Sequence, residues 1–224
     1  MKLRIRESNH VNNRMIKKHH SIYEGFDVSD DLQDIWDFVQ EQKYDSAATS
    51  LNQLAGGVRA VAEILKPDTI NLDYGGGRYD KAAEYLKQYD IINLVFDPFN
   101  RKKEHNKQVL DIINEARGAD SCTCCNVLNV IDGDAAKITA LKNIKRLVKS
   151  GGKVYIQTYE GSDKVEVQNE KGKTVKRASG VGKETSKGWQ ENKETKMYLP
   201  IVQQVFSDAT LKRINGIPMI VCTA

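Results

Sequence analysis

The stretch Ile70-Asn71-Leu72-Asp73-Tyr74-Gly75-Gly76-Gly77 decides the fold, because a short apolar strand runs directly into three glycines. The next residues predict a helix that opens near Asp80, and residues 91–96 predict a second strand that ends at Asp97. Asp97 lies 20 residues beyond Gly77, close to the spacing at which a carboxylate reaches a ribose. A strand, a glycine turn, a helix and a second strand that ends in an acid indicate a nucleoside-cofactor site.

The glycines do not fit a dinucleotide site. The fingerprint of such sites, Gly-x-Gly-x-x-Gly, needs a third glycine where this chain has Asp80. Asp73, two residues before Gly75, would place a negative charge beside a phosphate, so its position favours a cationic ligand. S-adenosylmethionine carries a sulfonium and an amino group. The Asp-x-Gly-x-Gly pattern resembles motif I of the class I methyltransferases, and this resemblance implies that Asp97 is their ribose-binding acid.

Helices and strands alternate through the rest of the chain. Helical periodicity covers 31–42, 51–65, 103–117, 135–148 and 197–206, and strands are predicted over 119–125, 154–159, 209–215 and 218–222. The last two strands form a hairpin, with Pro218 at the start of an edge strand. This order predicts an α/β fold, a doubly wound and mostly parallel sheet with a C-terminal antiparallel hairpin. We expect residues 1–66 to form a basic arm and a helical cap, and residues 67–224 the methyltransferase-like domain.

Three segments together give a narrower resemblance: NLDYGGGRYD at 71–80, DPFNR at 97–101 with EHN at 104–106, and NVLNVI at 126–131. They look like the small methyltransferases of bacteriophages and those associated with DNA phosphorothioation. Only 23 residues separate Asp97 from Asp120, too few for the usual helix, third strand and further helix, so that strand is expected to be short or absent. The resemblance implies a cofactor site formed by Asp73, Gly75, Gly76, Gly77, Asp97, Pro98, Phe99 and Asn126. Phe99 would stack on the adenine or plug the space between helices.

Asn126 and Tyr159 are the candidate catalytic residues, since each lies where a strand is predicted to end at the ligand-binding edge. Methyltransferases that modify exocyclic amines place Pro-Pro-aromatic after such an Asn, whereas this chain has Val127-Leu128-Asn129, which argues against that class. Cys124 and Cys125 would need a lowered thiol pKa to attack a pyrimidine, and small buried side chains are the favoured interpretation. The cysteines and histidines lack zinc spacing, so no metal site is predicted.

A basic insertion at about 161–196 is the predicted substrate-binding segment. Residues 164–196 hold nine Lys and Arg against five acids, a surplus equal to the net charge of +4 of the whole chain. A stretch of this kind is usually a solvated loop, but beside a cofactor site it could bind a polyanion. Lys183 and Lys187 would hold phosphates, while Trp189 would stack on a base or be buried against the sheet. Gln190 completes the predicted substrate set, and the expected partner is nucleic acid or a nucleotide.

Composition sets the outer limits of function. The chain has 224 residues, 40% of them hydrophobic, with no apolar run long enough to cross a bilayer and no apolar block of a signal peptide at its start. Four cysteines without zinc spacing indicate a reducing compartment, so we expect a cytoplasmic protein without a membrane partner. The resemblance implies an S-adenosylmethionine-dependent methyltransferase. A small-molecule methyltransferase and a protein that binds or hydrolyses S-adenosylmethionine without methyl transfer stay open as alternatives.

Overall fold

The protein is built around one six-stranded sheet. The computed structural model describes residues 52–161, 163–185 and 188–224, and it describes only the backbone of residues 183–185. The strands of the sheet are β1 Ile70–Tyr74, β2 Ile92–Phe96, β3 Ala119–Cys125, β4 Val148–Gln157, β9 Thr210–Ile214 and β10 Ile217–Thr223. They lie in the order β2-β1-β3-β4-β10-β9. Strands β1 to β4 run parallel, and β10 is antiparallel to both β4 and β9. This confirms the predicted mostly parallel sheet with its C-terminal antiparallel hairpin.

Helices cover both faces of the sheet, which makes it doubly wound. Five α-helices are described, α1 Gly56–Val61, α2 Lys81–Leu86, α3 Lys103–Glu115, α4 Asp134–Leu147 and α5 Leu199–Gln203. Apolar residues of α1 and α2 form one buried cluster with one face of the sheet, and those of α3, α4 and α5 form the other. Three 3-10 helices, Lys87–Tyr89, Leu128–Val130 and Thr195–Tyr198, complete the set. No helix among the described residues has the length and apolarity that a bilayer span requires.

A single helix, α3, connects β2 to β3, and no strand lies between them in the described part of the chain. The expected short or absent third strand is therefore confirmed as absent there. Side chains of α3 satisfy backbone groups at the end of β2, since His105 donates from Nε2 to the Val95 carbonyl at 2.9 Å. Asn106 bonds both backbone groups of Asp97, accepting from its N–H at 3.0 Å and donating to its carbonyl at 2.9 Å. The helix thus takes over part of the pairing that a neighbouring strand would supply.

Two local predictions at the ends of the domain need correction. The helix predicted over 51–65 is only the six residues of α1, which opens on Gly56 and Gly57, poor helix formers. Gly57 has to lie close to the sheet, because a Cβ there would come within 2.6 Å of Cys125 Sγ. Pro218 was expected to start an edge strand, but β10 lies inside the sheet. Pairing of β10 with β4 begins only at Ile220, so Pro218 meets β9 alone. The predicted basic arm and the helix over 31–42 lie outside the described residues.

The insertion is not the solvated loop that its charge predicted. It folds into two antiparallel hairpins, one formed by β5 Lys164–Gln168 and β6 Thr174–Ala178, the other by β7 Gly182–Thr185 and β8 Gly188–Glu191. The alternation of valine with polar residues in β5 is a strand signal that the charge count concealed. Asn169 closes the first turn, accepting from the N–H groups of Lys171 and Lys173 through Oδ1 at 3.0 Å.

Candidate functional site

The glycine turn follows β1 at the point where the order of strands reverses, with β2 on one side of β1 and β3 on the other. Gly75 and Gly77 both have positive φ, 76° and 80°, which a side chain would strain. A Cβ on Gly75 would overlap the Val127 side chain, and one on Gly76 would come within 2.7 Å of Asp73 Cγ. These glycines were expected to make room for a cofactor. The structure shows that packing within the protein already requires Gly75 and Gly76, and their contact with a cofactor stays a prediction.

Both polar groups of the Gly77 peptide are held by residues that follow β2. Its N–H donates to Asp97 Oδ2 at 2.8 Å, and its carbonyl accepts from Arg101 Nε at 2.7 Å. Arg101 also donates through Nη2 to Asp80 Oδ1 at 2.8 Å, and only 12% of its side chain is exposed. Asp80 therefore stabilises the turn indirectly, because it holds the Arg101 side chain that binds the Gly77 carbonyl. The Arg101 clamp could not be predicted, because its partners Gly77 and Asp80 belong to a different βα unit.

Asp97 is 4% exposed and surrounded by donors. Besides Gly77, the backbone N–H groups of Phe99 and Asn100 donate to Oδ1, at 3.0 and 2.9 Å. The Asn100 side-chain amide lies 3.2 Å from both carboxylate oxygens. The fully buried Asn106 side chain bonds both the N–H and the carbonyl of the Asp97 backbone. Asp97, the predicted ribose-binding acid, therefore also joins the loop after β2 to the glycine turn through these hydrogen bonds.

A buried polar layer continues beneath the turn. Asp73 is 3% exposed and accepts from the Thr123 hydroxyl at 3.1 Å. Asn71 donates through Nδ2 to Asn93 Oδ1 at 2.7 Å and to Thr123 Oγ1 at 3.0 Å, and accepts from the Ser121 hydroxyl at 2.8 Å. Burial raises the pKa of Asp73 to about 6, against the opposing hydrogen bond from Thr123. Sequence reasoning missed this layer, although polar residues at matched positions of three strands were its signal.

The remaining predicted cofactor residues are more open. Pro98 and Phe99 are half-buried, and Asn126 is exposed directly after β3. Asn126 has a left-handed φ of 62°, and its N–H donates to the Gln157 carbonyl at 2.8 Å. Tyr159 was predicted to end its strand, but β4 stops at Gln157, and Tyr159 lies two residues beyond with 52% of its surface exposed.

The carboxyl ends of the four parallel strands bring the predicted residues to one edge of the sheet. Asp97 follows β2, the glycines follow β1, Asn126 follows β3 and Tyr159 follows β4. The expected placement is thus confirmed. Ligands of doubly wound sheets bind outside this edge, beside the strand-order reversal. The roles of Asn126 and Tyr159 in catalysis stay predictions.

The second hairpin of the insertion lies against the 3-10 helix that follows β3. Gln190 accepts from Asn129 Nδ2 at 3.4 Å and donates to the Glu191 carbonyl at 2.7 Å. Trp189 is half-buried and packs on Gly182, where a Cβ would overlap the ring, and its Nε1 has no hydrogen-bond partner among the described residues. The structure shows Trp189 partly buried within its own hairpin, and its stacking on a base stays a prediction. The side chains of Lys183 and Lys187 lie outside the described residues.

A buried ion pair ties this hairpin to the domain. Lys137, fully buried in α4, donates to Glu191 Oε1 at 3.1 Å, and the Tyr198 hydroxyl donates to Oε2 at 2.9 Å. Lys193 reaches the same Oε1 at 3.1 Å. Burial, with the Glu191 charge beside it, raises the pKa of Tyr198 well above its ordinary value. Lys137 lies four residues before Leu141, on the buried face of α4, so the helical period was a signal of its burial that its charge concealed.

Polar groups elsewhere do not add a second chemical centre. Cys124 and Cys125 are buried free thiols, and burial raises the pKa of each well above its ordinary range, which opposes the thiolate that catalysis would need. Among the described residues no cluster of three potential metal ligands occurs. A concavity of about 560 Å³ lies beside the first hairpin, with none of the glycine-turn residues in its lining. Of the charged residues in its lining, Glu194 pairs with both Arg177 at 2.9 Å and Lys196 at 2.8 Å.

Neither a protein-family model nor a curated protein sequence matches the chain. Among solved structures, it is similar to the glycopeptide N-methyltransferase MtfA, at 11% identity over 75% of this chain and 94% of that chain, with a TM-score of 0.45. A TehB-like SAM-dependent methyltransferase from Corynebacterium glutamicum is 14% identical over 87% and 97% of the two chains, with a TM-score of 0.40. A SAM-dependent methyltransferase from Methanosarcina mazei is 12% identical over 73% and 95%, with a TM-score of 0.43. These three neighbours are methyltransferases by name, and the function of this chain has to be argued from its own site.

Proposed function

We propose that the protein is an S-adenosylmethionine-dependent methyltransferase. The observation that carries the proposal is the glycine turn at the reversal of strand order, held by a buried acid from the end of the next strand. A glycine turn and a carboxylate at that place suit a ligand that combines a cationic group with a ribose. Asp73, beneath the turn, adds negative charge without reaching the surface.

The residues at the edge divide the work of binding. Asp97 would accept from the ribose, Phe99 and Pro98 would contact the adenine, and the glycine turn would carry the amino-acid end of the cofactor. When bound, S-adenosylmethionine supplies an electrophilic methyl group for an in-line displacement. The protein's contribution is then to align the acceptor and to exclude water. Asn126 and Tyr159, exposed at the ends of β3 and β4, are placed to orient the acceptor.

For the acceptor we propose nucleic acid or a nucleotide, on the strength of the insertion. Lys171, Lys173 and Lys176 are exposed on the first hairpin and form no ion pair with any described residue. Exposed lysines that have no ion-pair partner among the described residues are able to contact phosphates. Trp189 and Gln190 belong to the second hairpin, and we propose that they, with Lys183 and Lys187, meet the base and its phosphates. We further propose a cytoplasmic location and kinship with the bacteriophage and phosphorothioation-associated methyltransferases named above.

The test separates binding from transfer. The protein is incubated with methyl-labelled S-adenosylmethionine, with and without DNA, RNA, nucleotides or a cell extract, and both labelled products and cofactor breakdown are measured. Label in polymer or nucleotide supports the proposal. Label in small molecules of a cell extract alone would support a small-molecule methyltransferase, and breakdown without an acceptor would support a hydrolase.

The site assignment has its own test. Asp97→Ala should weaken S-adenosylhomocysteine binding by about 10- to 100-fold, because hydrogen bonds to a charged group are lost. Asp132→Ala, at an exposed position, is the matched control. Unchanged affinity of a folded Asp97→Ala variant in calorimetry would contradict the assignment.

A further inference from the structure

The carboxylate of Asp97 has as many donors as it can accept. An ionised carboxylate offers about four accepting positions on its two oxygens. Four donor groups point at Asp97, namely the N–H groups of Gly77, Phe99 and Asn100 and the side-chain amide of Asn100. A ligand that binds Asp97 through hydroxyl groups must therefore displace one of them.

The four donors are not equally replaceable. The three backbone N–H groups lie 2.8 to 3.0 Å from the carboxylate. Gly77 belongs to the glycine turn, which Arg101 also holds, whereas Phe99 and Asn100 belong to the loop after β2, which Asn106 also holds. The Asn100 amide makes the longest contacts, 3.2 Å to each oxygen, from one nitrogen. The side-chain oxygen of Asn100 is weakly held, since the hydrogen bond that it accepts from Arg78 Nη2 is long, at 3.4 Å. Asn100 is half-buried, whereas Asp97 is buried.

We propose that the Asn100 side chain occupies the position on Asp97 that a vicinal diol takes, and turns away when the ligand binds. This inference rests on the proposed function and adds to it a residue that sets cofactor affinity. One amide nitrogen that spans both oxygens covers the same two acceptors that two neighbouring hydroxyl groups of a ribose would use. Asn100 is thus a positioning residue: it satisfies the buried carboxylate in the free protein and competes with the diol.

The sign of the mutational effect distinguishes this role from direct contact. Removal of the amide leaves Asp97 with an unfilled accepting position, which disfavours the free protein relative to the complex. Asn100→Ala keeps the backbone N–H bond to Oδ1 and should therefore bind adenosine and S-adenosylhomocysteine more tightly, by about tenfold. Asn100→Ser, whose hydroxyl cannot span both oxygens, should show a smaller gain in the same direction. Asn114→Ala, on the exposed side of α3, is the matched control and should bind like the wild type.

The experiment is isothermal titration of these four proteins with S-adenosylhomocysteine, adenosine and 2′,3′-dideoxyadenosine, with circular dichroism to verify folding. The gain should appear with the two ligands that carry the diol and be absent with the dideoxy nucleoside. Weaker binding by both Asn100 variants would overturn the inference, because it would make Asn100 a direct ligand contact, while the proposed function would stand. Equal binding by all variants, or an equal gain for the dideoxy nucleoside, would overturn it as well. If no variant bound S-adenosylhomocysteine, the proposed function itself would fail.

Discussion

Two regions of the molecule are stabilised in different ways: the glycine-turn region, residues 73–80 and 97–106, and the insertion, residues 161–196. In the first, the buried Asp97 accepts from backbone N–H groups. Three links of this region join different βα units: Gly77 to Asp97, Arg101 to Gly77 and Thr123 to Asp73. In the second, β5 is exposed along its whole length, and the hairpins are held mainly by pairing with themselves. Its firmest link to the domain is the buried carboxylate of Glu191.

Under the proposed function, the two regions would do different work. A region whose polar groups are already paired keeps one geometry, as a cofactor that is the same in each turnover would require. Hairpins whose strands pair mainly with each other, with β5 exposed throughout, would adapt to a variable acceptor. Four sets of variants test this difference between the regions. They change the buried Lys137–Glu191 ion pair, the buried Asp73, Gly75 in the turn, and the exposed lysines of the first hairpin.

The largest effect is expected at the anchor. Lys137→Met leaves the Glu191 carboxylate buried with only Lys193 and the Tyr198 hydroxyl as partners, and should lower the free energy of unfolding by about 3 kcal/mol. Urea unfolding measures the loss, and limited proteolysis should show earlier cleavage within the insertion than in the sheet.

Two variants test the anchor interpretation. Lys142→Met, at an exposed position on the same helix, should change stability little. Adding Glu191→Gln to Lys137→Met should recover about 2 kcal/mol, because the buried charge is removed while a polar partner for Tyr198 remains. A loss below 1 kcal/mol for Lys137→Met would mean that the insertion does not depend on this ion pair.

The fold was predictable to the extent that local patterns decide it. The order of β1, α2, β2, α3 and β3 follows from hydrophobic period and glycines, and the missing strand followed from the short distance between Asp97 and Asp120. The hairpins of the insertion were missed because their many charges outweighed the period-two alternation in β5. Their attachment could not be predicted, since Lys137 and Glu191 are 54 residues apart and no local pattern pairs them.

A pH-dependent effect of intermediate size is expected beneath the turn. Burial raises the pKa of Asp73 to about 6 from 3.8, so the folded protein holds the proton more tightly than the unfolded chain. The resulting stabilisation is complete below pH 3.8 and is lost as pH rises through 6. The unfolding free energy of the wild type should therefore fall relative to that of Asp73→Asn between pH 4 and 7, by at most about 3 kcal/mol. Asp132→Asn is the exposed control, and a constant difference across this range would contradict the prediction.

The turn itself allows a direct comparison of the two regions through two glycines. Gly75 and Gly172 have similar positive φ values, 76° and 70°, but a Cβ would overlap Val127 at the first and meet nothing within 4 Å at the second. Gly172→Ala should therefore cost only the backbone term of about 1 kcal/mol, and Gly75→Ala about 2 kcal/mol. The extra loss should shrink when Val127→Ala is combined with Gly75→Ala. Equal losses at the two glycines in thermal unfolding would show that the turn is no more tightly packed than the hairpin.

The candidate site was predictable by position but not by interaction. Asp97 and Asn126 were placed correctly at strand ends, whereas Asp73 lies one residue inside β1 and is buried beneath the turn. Their partners could not be predicted, since the Arg101 clamp, the Asn106 support and the Asn71 layer all join residues from different strands and loops. Only a three-dimensional arrangement shows that Asp97 holds the glycine turn.

The smallest effect on the folded protein, and the sharpest test of the insertion, concerns its free lysines. Replacing Lys171, Lys173 and Lys176 with Ala should leave stability nearly unchanged, because exposed charges of this kind contribute little. Affinity for DNA or RNA should fall, and the slope of log affinity against log salt should decrease by about one for each lysine that touches a phosphate. Lys107→Ala, whose ammonium already pairs with Asp111 at 2.8 Å, is the control and should leave the slope as it is. If the triple variant kept the wild-type slope, the first hairpin would not contact phosphates, and the acceptor would have to be recognised through the second hairpin or at the sheet edge.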